Sequence, residues 1–172
     1  MKIYETELSG VLLIAPDRHR DHRGFFSETY SQKSYEEIGI DINFVQDNHS
    51  ISYDMGTLRG LHFQSPPHAQ AKLVRCGQGC LFDVAVDLRK NSKTFGQYYQ
   101  CTLSEKNSKS VYIPPGFAHG FQALENENYI VYSCTQYRHS NSEKVIQFND
   151  KEINIKWPLK KKIVSKKDNN AI

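Results

Sequence analysis

The sequence predicts an all-β protein, folded as an antiparallel sandwich or jelly roll. Alternating or β-branched runs recur at a spacing of about ten residues and are separated by polar turns, which is typical of such folds. Tyr and Phe, which both favour strands, number 10 and 9 in the 172-residue chain. Only one segment has a helical pattern, so alternating βαβ units are not predicted.

The elements can be assigned in chain order. The one helix is predicted from Ser31 to Ile38, with Ser31 or Ser34 as its N-cap and Gly39 at its end. A later strand with the sequence SVYI stops before Pro114, because proline cannot donate to a strand ladder. The remaining clear strands are Leu81–Arg89, Gly96–Ser104 and Asn128–Tyr137.

Length and composition predict a single globular domain, residues 1–172. The formal net charge is only +3, and the lysine-rich last segment is expected to be a solvated surface rather than a nucleic-acid site. No signal-peptide core or membrane-length apolar window is present, so a cytoplasmic protein without membrane contacts is expected. The cysteines match no zinc spacing and are expected to be reduced thiols: Cys76, Cys80, Cys101 and Cys134.

Several residues with chemical capability lie within strand-like runs. Arg59, His62 and Lys72 fall within fourteen residues, His119 lies in GFAHGF, and Tyr132 lies in the alternating run NYIVYSC. Two cations, two imidazoles and a phenol suit an anionic ligand and proton transfer. Each of them taken singly is more often a structural residue, and the sequence leaves open whether they converge.

The motifs together resemble one known family. The chain is similar to the dTDP-4-dehydrorhamnose 3,5-epimerase family of nucleotide-sugar epimerases over nearly its whole length. The order and spacing of the motifs carry the resemblance: DHRGFFSETY (Asp21–Tyr30), FVQDNHSIS (Phe44–Ser52), LRGLHFQ (Leu58–Gln64), KLV, DVAVDLR with NSKTFG, IPPGFAHGF, KWP and VSKKD (Val164–Asp168).

The resemblance implies a cupin-like antiparallel jelly roll, or double-stranded β-helix, with a few short helices. It also implies an isomerase that inverts C3 and/or C5 of a nucleoside-diphosphate 4-keto-6-deoxyhexose, with dTDP-4-dehydro-6-deoxy-D-glucose as the expected substrate and dTDP-4-dehydro-L-rhamnose as the product. Protons α to the C4 ketone are acidic enough to be removed, so no cofactor and no metal are expected. The family also implies a homodimer.

Four catalytic roles follow from the resemblance. His62 is the expected base, and an imidazole with an unperturbed pKa of about 6.5 suits that role. Asp168 is expected to orient the His62 ring, which requires the lysine-rich tail to fold back onto the strands. Lys72 is expected to stabilise the enolate oxygen, and Tyr132 to act as the acid on the opposite face of the sugar.

The resemblance also implies binding roles. Arg59 suits the diphosphate through its fork geometry, and His119 is expected near the sugar or a phosphate. Arg23 matches a phosphate contact that the family often makes across a dimer interface. Positions near the nucleoside and sugar are Glu28, Gln46 and Asn48, and the candidates for stacking on the base are Phe26 and Tyr137.

One segment departs from the family pattern, and other functions stay open. The family tends to have Pro and Gly after Tyr137, whereas this chain reads YRHSNSEKVIQFND. Epimerisation at one carbon only, or of a CDP- or GDP-sugar, is therefore an alternative. A metal-dependent cupin is a second, although Gln64 stands where such cupins place another His. A non-catalytic sugar-nucleotide binding module is a third.

Overall fold

The computed structural model describes residues 1–170, and strands dominate them. The strands in chain order are β1 (Lys2–Glu5), β2 (Leu12–Ala15), β3 (His19–Asp21), β4 (Gly24–Phe26), β5 (Gln46–Ser52), β6 (Thr57–Gln64), β7 (Lys72–Gln78), β8 (Cys80–Asp87), β9 (Tyr98–Ser104), β10 (Ser110–Ile113), β11 (Phe117–Ala123), β12 (Asn128–Cys134), β13 (Glu143–Val145) and β14 (Ile163–Val164). The helices are α1 (Gln32–Glu36), α2 (Lys166–Asn169) and a 3₁₀ turn (Ser140–Ser142). Neither α-helix could span a membrane.

Two mainly antiparallel sheets form the body of the protein, which confirms the expected all-β, cupin-like architecture. The first sheet has the order β1-β2-β10-β7-β12-β5. The second has the order β13-β6-β11-β8-β9, and β14 adds to β6 in parallel. Strands β3 and β4 form a separate two-stranded hairpin. The jumps in strand order are typical of a jelly roll rather than a meander.

The main hydrophobic core lies between the two sheets. Every second residue of a strand points to the same face, so the inward residues of both sheets meet there. Buried members from the first sheet include Val74, Val111 and Ile130, and those from the second include Leu81, Leu103 and Phe121. The polar residues of the site lie on these same strands, so the packed core fixes their positions.

Each sheet is also covered on its outer face. Tyr35 of α1 packs with Ile14 and Leu73 over the first sheet. The segment from 146 to 157 covers the second sheet, where Ile155 and Trp157 pack around Leu61.

The local predictions were largely confirmed, with differences at the ends. The SVYI strand is β10 and stops before Pro114, as predicted. The predicted strand Leu81–Arg89 ends earlier, at Asp87, because that carboxylate binds the loop residues Arg89, Ser92 and Thr94. The strand Asn128–Tyr137 likewise ends at Cys134.

The predicted helix was correct in position but too long. It covers Gln32–Glu36 rather than Ser31–Ile38, and Ser31 is its N-cap without a side-chain hydrogen bond. A tighter turn follows the helix, because the N–H groups of Ile38 and Gly39 donate to carbonyl groups three residues earlier instead of four. Gly39 has a φ of +82°, which ends the helix.

Candidate active site

A cavity of about 490 Å³ opens between the two sheets, within the size range of small-molecule sites. Its lining joins strands from both sheets with the chain after β14, and the functional candidates in it are Arg59, His62, Lys72, His119, Tyr132 and Asp168. The residues that the sequence could not bring together therefore line one cavity.

Strands β6 and β11 form one wall of the cavity. His62 on β6 lies directly opposite His119 on β11 in the antiparallel register. The two strands approach closely at Gly60, which has a φ of +120°, and a Cβ there would lie 2.6 Å from the Gly120 Cα. Only glycine fits this position, which explains the glycine between Arg59 and His62.

His62 and Asp168 form a short imidazole–carboxylate pair. The Nε2 atom of His62 lies 2.6 Å from Oδ1 of Asp168. The imidazole is one-third exposed, whereas the carboxylate is almost completely buried. Because Nε2 is engaged, Nδ1 is the ring nitrogen left for a ligand, and it has no hydrogen-bond partner within residues 1–170.

The C-terminal segment delivers Asp168 to this pair. Strand β14 runs parallel to the start of β6, and α2 follows it at once. Ser165 caps α2, since its Oγ accepts a hydrogen bond from the Asp168 N–H at 3.1 Å. The tail thus folds back onto the strands, as the resemblance implied.

Hydrogen bonds hold Asp168 in its ionised form. Burial opposes ionisation, but the hydrogen bond and charge of His62 outweigh it, and the pKa of Asp168 lies below its ordinary value. The Gly60 N–H contributes by donating to Oδ2 at 3.3 Å. A buried carboxylate that stays charged can stabilise a protonated imidazole beside it.

Lys72 and Tyr132 enter the cavity from the facing sheet. Lys72 begins β7 and Tyr132 lies in β12, so both lie across the cavity from the strand that carries His62. Burial lowers the pKa of Lys72 and raises the pKa of Tyr132. The lysine ammonium has no ion pair or hydrogen bond among residues 1–170, and the phenol is held in its protonated form.

Arg59 and His119 occupy different depths of the cavity. Arg59 is exposed at the rim, where its guanidinium donates to the Ile51 carbonyl at 3.0 Å and to Ser52 Oγ at 3.3 Å. His119 is buried, and its Nε2 lies 2.9 Å from Oδ2 of Asp83. An exposed cation at the rim and a buried imidazole in the wall suit the two ends of an extended anionic ligand.

Gln46 and Asn48 line a smaller adjoining cavity of about 100 Å³, which also has His62, Lys72 and Tyr132 in its wall. Both residues are on β5, the edge strand beside β12. Gln46 Nε2 donates to Asn48 Oδ1 at 2.9 Å, so the two amides form one unit. These polar groups extend the site along the edge of the first sheet.

Arg23 and Glu28 lie outside the cavity in the described chain. Arg23 is in the β3–β4 hairpin, where its highly exposed guanidinium pairs with Asp21. Glu28 accepts a hydrogen bond from Ser34 beside α1. Phe26 and Tyr137, the stacking candidates, are also exposed and do not line the cavity. Within one chain, these residues are not brought to the site.

Comparison with known proteins decides the family. The family model for dTDP-4-dehydrorhamnose 3,5-epimerase matches residues 5–172. The dTDP-4-dehydrorhamnose 3,5-epimerase of Shigella flexneri is 47% identical over 172 residues, covering 99% of this chain and 94% of the relative. The chain belongs to the dTDP-4-dehydrorhamnose 3,5-epimerase family. The resemblance and the epimerase class predicted from the sequence are thereby confirmed.

Solved epimerase structures share the whole fold. The enzyme from Bacillus anthracis, solved with TDP and PPi bound, is 42% identical with a TM-score of 0.97, and the match covers 99% of this chain and 98% of that one. A dTDP-6-deoxy-D-glucose-3,5-epimerase from Legionella pneumophila was solved in complex with dTDP-4-keto-L-rhamnose. It is 45% identical with a TM-score of 0.95, covering 99% and 90% of the two chains.

Sequence reasoning about this epimerase-family chain missed two carboxylates. Glu143 lines both cavities and binds Lys167 at 2.7 Å and Arg138 at 3.0 Å. Burial opposes its ionisation, but these two cations lower its pKa below the ordinary value. Asp83 holds His119. Nothing in the local pattern around either residue distinguishes it from a strand carboxylate. The Asp83 contact depends on the register of β8 against β11, and the Glu143 contact with Lys167 depends on the fold of the C-terminal segment.

Gln64, the position relevant to the metal-dependent alternative, has a structural role. Its amide donates to the His68 carbonyl at 2.7 Å and accepts from the His139 N–H at 2.7 Å. It therefore joins the loop after β6 to the loop after β12. Across residues 1–170, no three His, Cys, Asp or Glu side chains are grouped so that they could hold a metal ion.

Proposed function

We propose that this chain inverts C3 and C5 of dTDP-4-dehydro-6-deoxy-D-glucose to give dTDP-4-dehydro-L-rhamnose, without a cofactor. One observation carries the proposal: His62, paired with Asp168, lies in one sheet, and Lys72 and Tyr132 face the same cavity from the other sheet. A base and an acid on opposite sides of a sugar ring are what inversion by proton transfer requires. Family membership supports the same activity.

The proposed first step is removal of a proton α to the ketone. Nδ1 of His62 takes the proton, and the electron pair of the C–H bond moves into the C4 carbonyl to form an enolate. Asp168 stabilises the resulting imidazolium through Nε2. Lys72 faces the enolate oxygen, and a cation placed where charge develops favours the transition state over the ground state.

The proposed second step returns a proton to the opposite face of the same carbon. Tyr132 donates its phenolic proton and the enolate electrons re-form the C–H bond. Burial raises the pKa of Tyr132, so the phenol is protonated and ready to donate at neutral pH. Exchange with water then removes the proton from His62 and restores the one on Tyr132. The same sequence at the second carbon completes the double inversion.

We infer that the binding residues follow the polarity of the substrate. Arg59 at the rim suits the diphosphate, His119 suits the sugar or a phosphate, and the Gln46–Asn48 pair suits the nucleoside side. The direct test incubates the chain with dTDP-, CDP- and GDP-4-keto-6-deoxyhexoses in D₂O and follows deuterium at C3 and C5 by NMR. Label at both carbons of the dTDP-sugar is expected, whereas binding without label would mean a non-catalytic module.

We also propose a homodimer in which Arg23 and Glu28 complete the partner's site. Arg23 and Phe26 project from an exposed hairpin, and Phe26 is 69% exposed. An apolar side chain is also exposed near the cavity, since Ile51, whose carbonyl accepts a hydrogen bond from Arg59, is 43% exposed. Exposed apolar groups at a polar rim are typical of protein interfaces.

Mixing two inactive variants tests this arrangement. Hybrids of Arg23→Ala and His62→Ala subunits contain one intact site if Arg23 acts across the interface, so an equal mixture should recover about one quarter of wild-type activity. The matched control mixes His62→Ala with Tyr132→Phe, whose defects lie in the same chain and leave no intact site. No recovery in the first mixture would contradict the proposal.

Epimerisation at a single carbon is a second candidate, favoured by one local feature. Arg138 and His139 follow β12 in the segment that departs from the family pattern, and Arg138 lies close enough to Tyr132 to affect its pKa. A residue of this departing segment therefore acts electrostatically on the proposed acid. Deuterium at only one carbon after long incubation would select this candidate.

A cytoplasmic location stays a prediction.

A further inference from the structure

A second imidazole–carboxylate pair lies in the wall of the cavity. His119 on β11 and Asp83 on β8 are both buried, with side-chain exposures of 8% and 1%. His119 Nε2 lies 2.9 Å from one carboxylate oxygen and 3.2 Å from the other. Among residues 1–170, His119 is the one hydrogen-bond partner of the Asp83 carboxylate.

This geometry constrains the protonation of His119. A buried carboxylate is costly unless a partner donates a hydrogen bond to it, so the contact favours the tautomer of His119 that carries its proton on Nε2. The ring of His119 is then fixed, and its other nitrogen, Nδ1, is the one available to the cavity that His119 lines.

Asp83 acts electrostatically on Lys72 as well. Burial lowers the pKa of Lys72, and the charges of Cys134, Asp83 and Glu143 act in the opposite direction. The groups that face Asp83 from β9 do not compensate its charge, since burial raises the pKa of Tyr99 to about 12 and also raises the pKa of the Cys101 thiol. Lys72 is the cation on which the charge of Asp83 acts.

We propose that Asp83 is a positioning residue of this active site: it fixes the ring of His119 in the cavity wall and supplies a buried negative charge that favours the ammonium form of Lys72. The inference rests on the proposed function, since it assigns Asp83 a part in the same reaction. It predicts that Asp83 affects catalysis through protonation as well as through packing.

The pH profile of kcat/KM distinguishes this role from a structural one. Asp83→Asn keeps the shape of the side chain and removes the charge that favours the Lys72 ammonium, so Lys72 loses its proton at lower pH. The alkaline limb of the profile should move to lower pH, with a loss of tenfold or more at alkaline pH and a smaller loss near pH 6.5. Asp83→Asn combined with His119→Gln should cost less than the sum of the two single effects.

Asp87→Asn is the matched control. Asp87 is an equally buried carboxylate on the same strand, bound to Arg89, Ser92 and Thr94 away from the cavity. Its replacement should lower the melting temperature without moving the alkaline limb. If Asp83→Asn only lowers activity equally at all pH values, as a structural defect would, the proposal is overturned.

A measurement on the wild type keeps the test independent of the variants and of turnover. Nitrogen-15 NMR of the labelled histidines should show a proton on His119 Nε2 from pH 6.5 to 8. An unprotonated Nε2 in that range would overturn the proposal, even if Asp83→Asn does not fold. Wild-type protein that lacks epimerase activity but keeps a protonated Nε2 would count against the proposed function instead.

Discussion

Replacing Asp168 by Asn is the substitution whose effect the structure predicts most directly. In the native chain, one carboxylate oxygen accepts from His62 Nε2 at 2.6 Å and the other accepts from the Gly60 N–H at 3.3 Å. Asn has only one acceptor oxygen, so one of these donors must face an NH₂ group. We expect the Asn oxygen to accept from His62 Nε2, the closer donor. The ring then stays oriented, but the charge that stabilises the imidazolium is lost.

The expected loss of exchange rate follows from the hydrogen bond between His62 and the residue at position 168, which no longer involves a charged acceptor. A hydrogen bond to a charged group contributes about 1.5–3 kcal/mol, and 1.36 kcal/mol is a factor of ten, so exchange should slow by about 10- to 150-fold. The assay is deuterium uptake at C3 and C5 in D₂O, followed by NMR. Lys166→Ala is the control, because it changes an exposed residue of the same helix that does not line the cavity. An undiminished rate in folded Asp168→Asn protein would refute the reasoning.

Three further predictions test the other groups. Tyr132→Phe should still take up deuterium on the face of the sugar next to His62 but should lose inversion, as followed by NMR and product analysis. Equal loss of uptake and inversion would contradict the assignment of His62 as base and Tyr132 as acid. Lys72→Met should slow uptake by about 10²–10³-fold with little change in dTDP affinity by calorimetry, and an unchanged rate would mean that the ammonium does not face the enolate. The lowered pKa of Asp168 adds stability above about pH 4 that is lost as the pH falls through that pKa, so urea denaturation should show Asp168→Asn to be more destabilising at pH 7 than at pH 3. A destabilisation that is equal at both pH values would contradict this.

Local patterns predicted the parts of the fold that depend on nearby residues. Strands β9, β10 and β12 were found because period-two alternation and the proline after Ile113 are local signals. Their ends were less predictable, since β8 stops where the Asp87 side chain turns back to bind its own loop. Such a contact forms only in the folded chain.

The candidate site was predictable only in part, for the same reason. Asp168 lies 106 positions from His62, and nothing in a lysine-rich tail indicates that it returns to β6. The family resemblance supplied that pairing. Asp83 and Glu143 were missed because their importance depends on the register of β8 against β11 and of β13 against β6. Register is set by the packed sheets and not by local sequence.

Deuterium uptake by the His62→Ala variant tests the central claim most directly. The wild type should incorporate solvent deuterium at C3 and C5 of dTDP-4-dehydro-6-deoxy-D-glucose. The variant should incorporate none at either carbon while binding dTDP nearly as tightly, because His62 removes the proton and the nucleotide is held by other groups. Uptake at the wild-type rate in folded His62→Ala protein would show that another group is the base and would contradict the account.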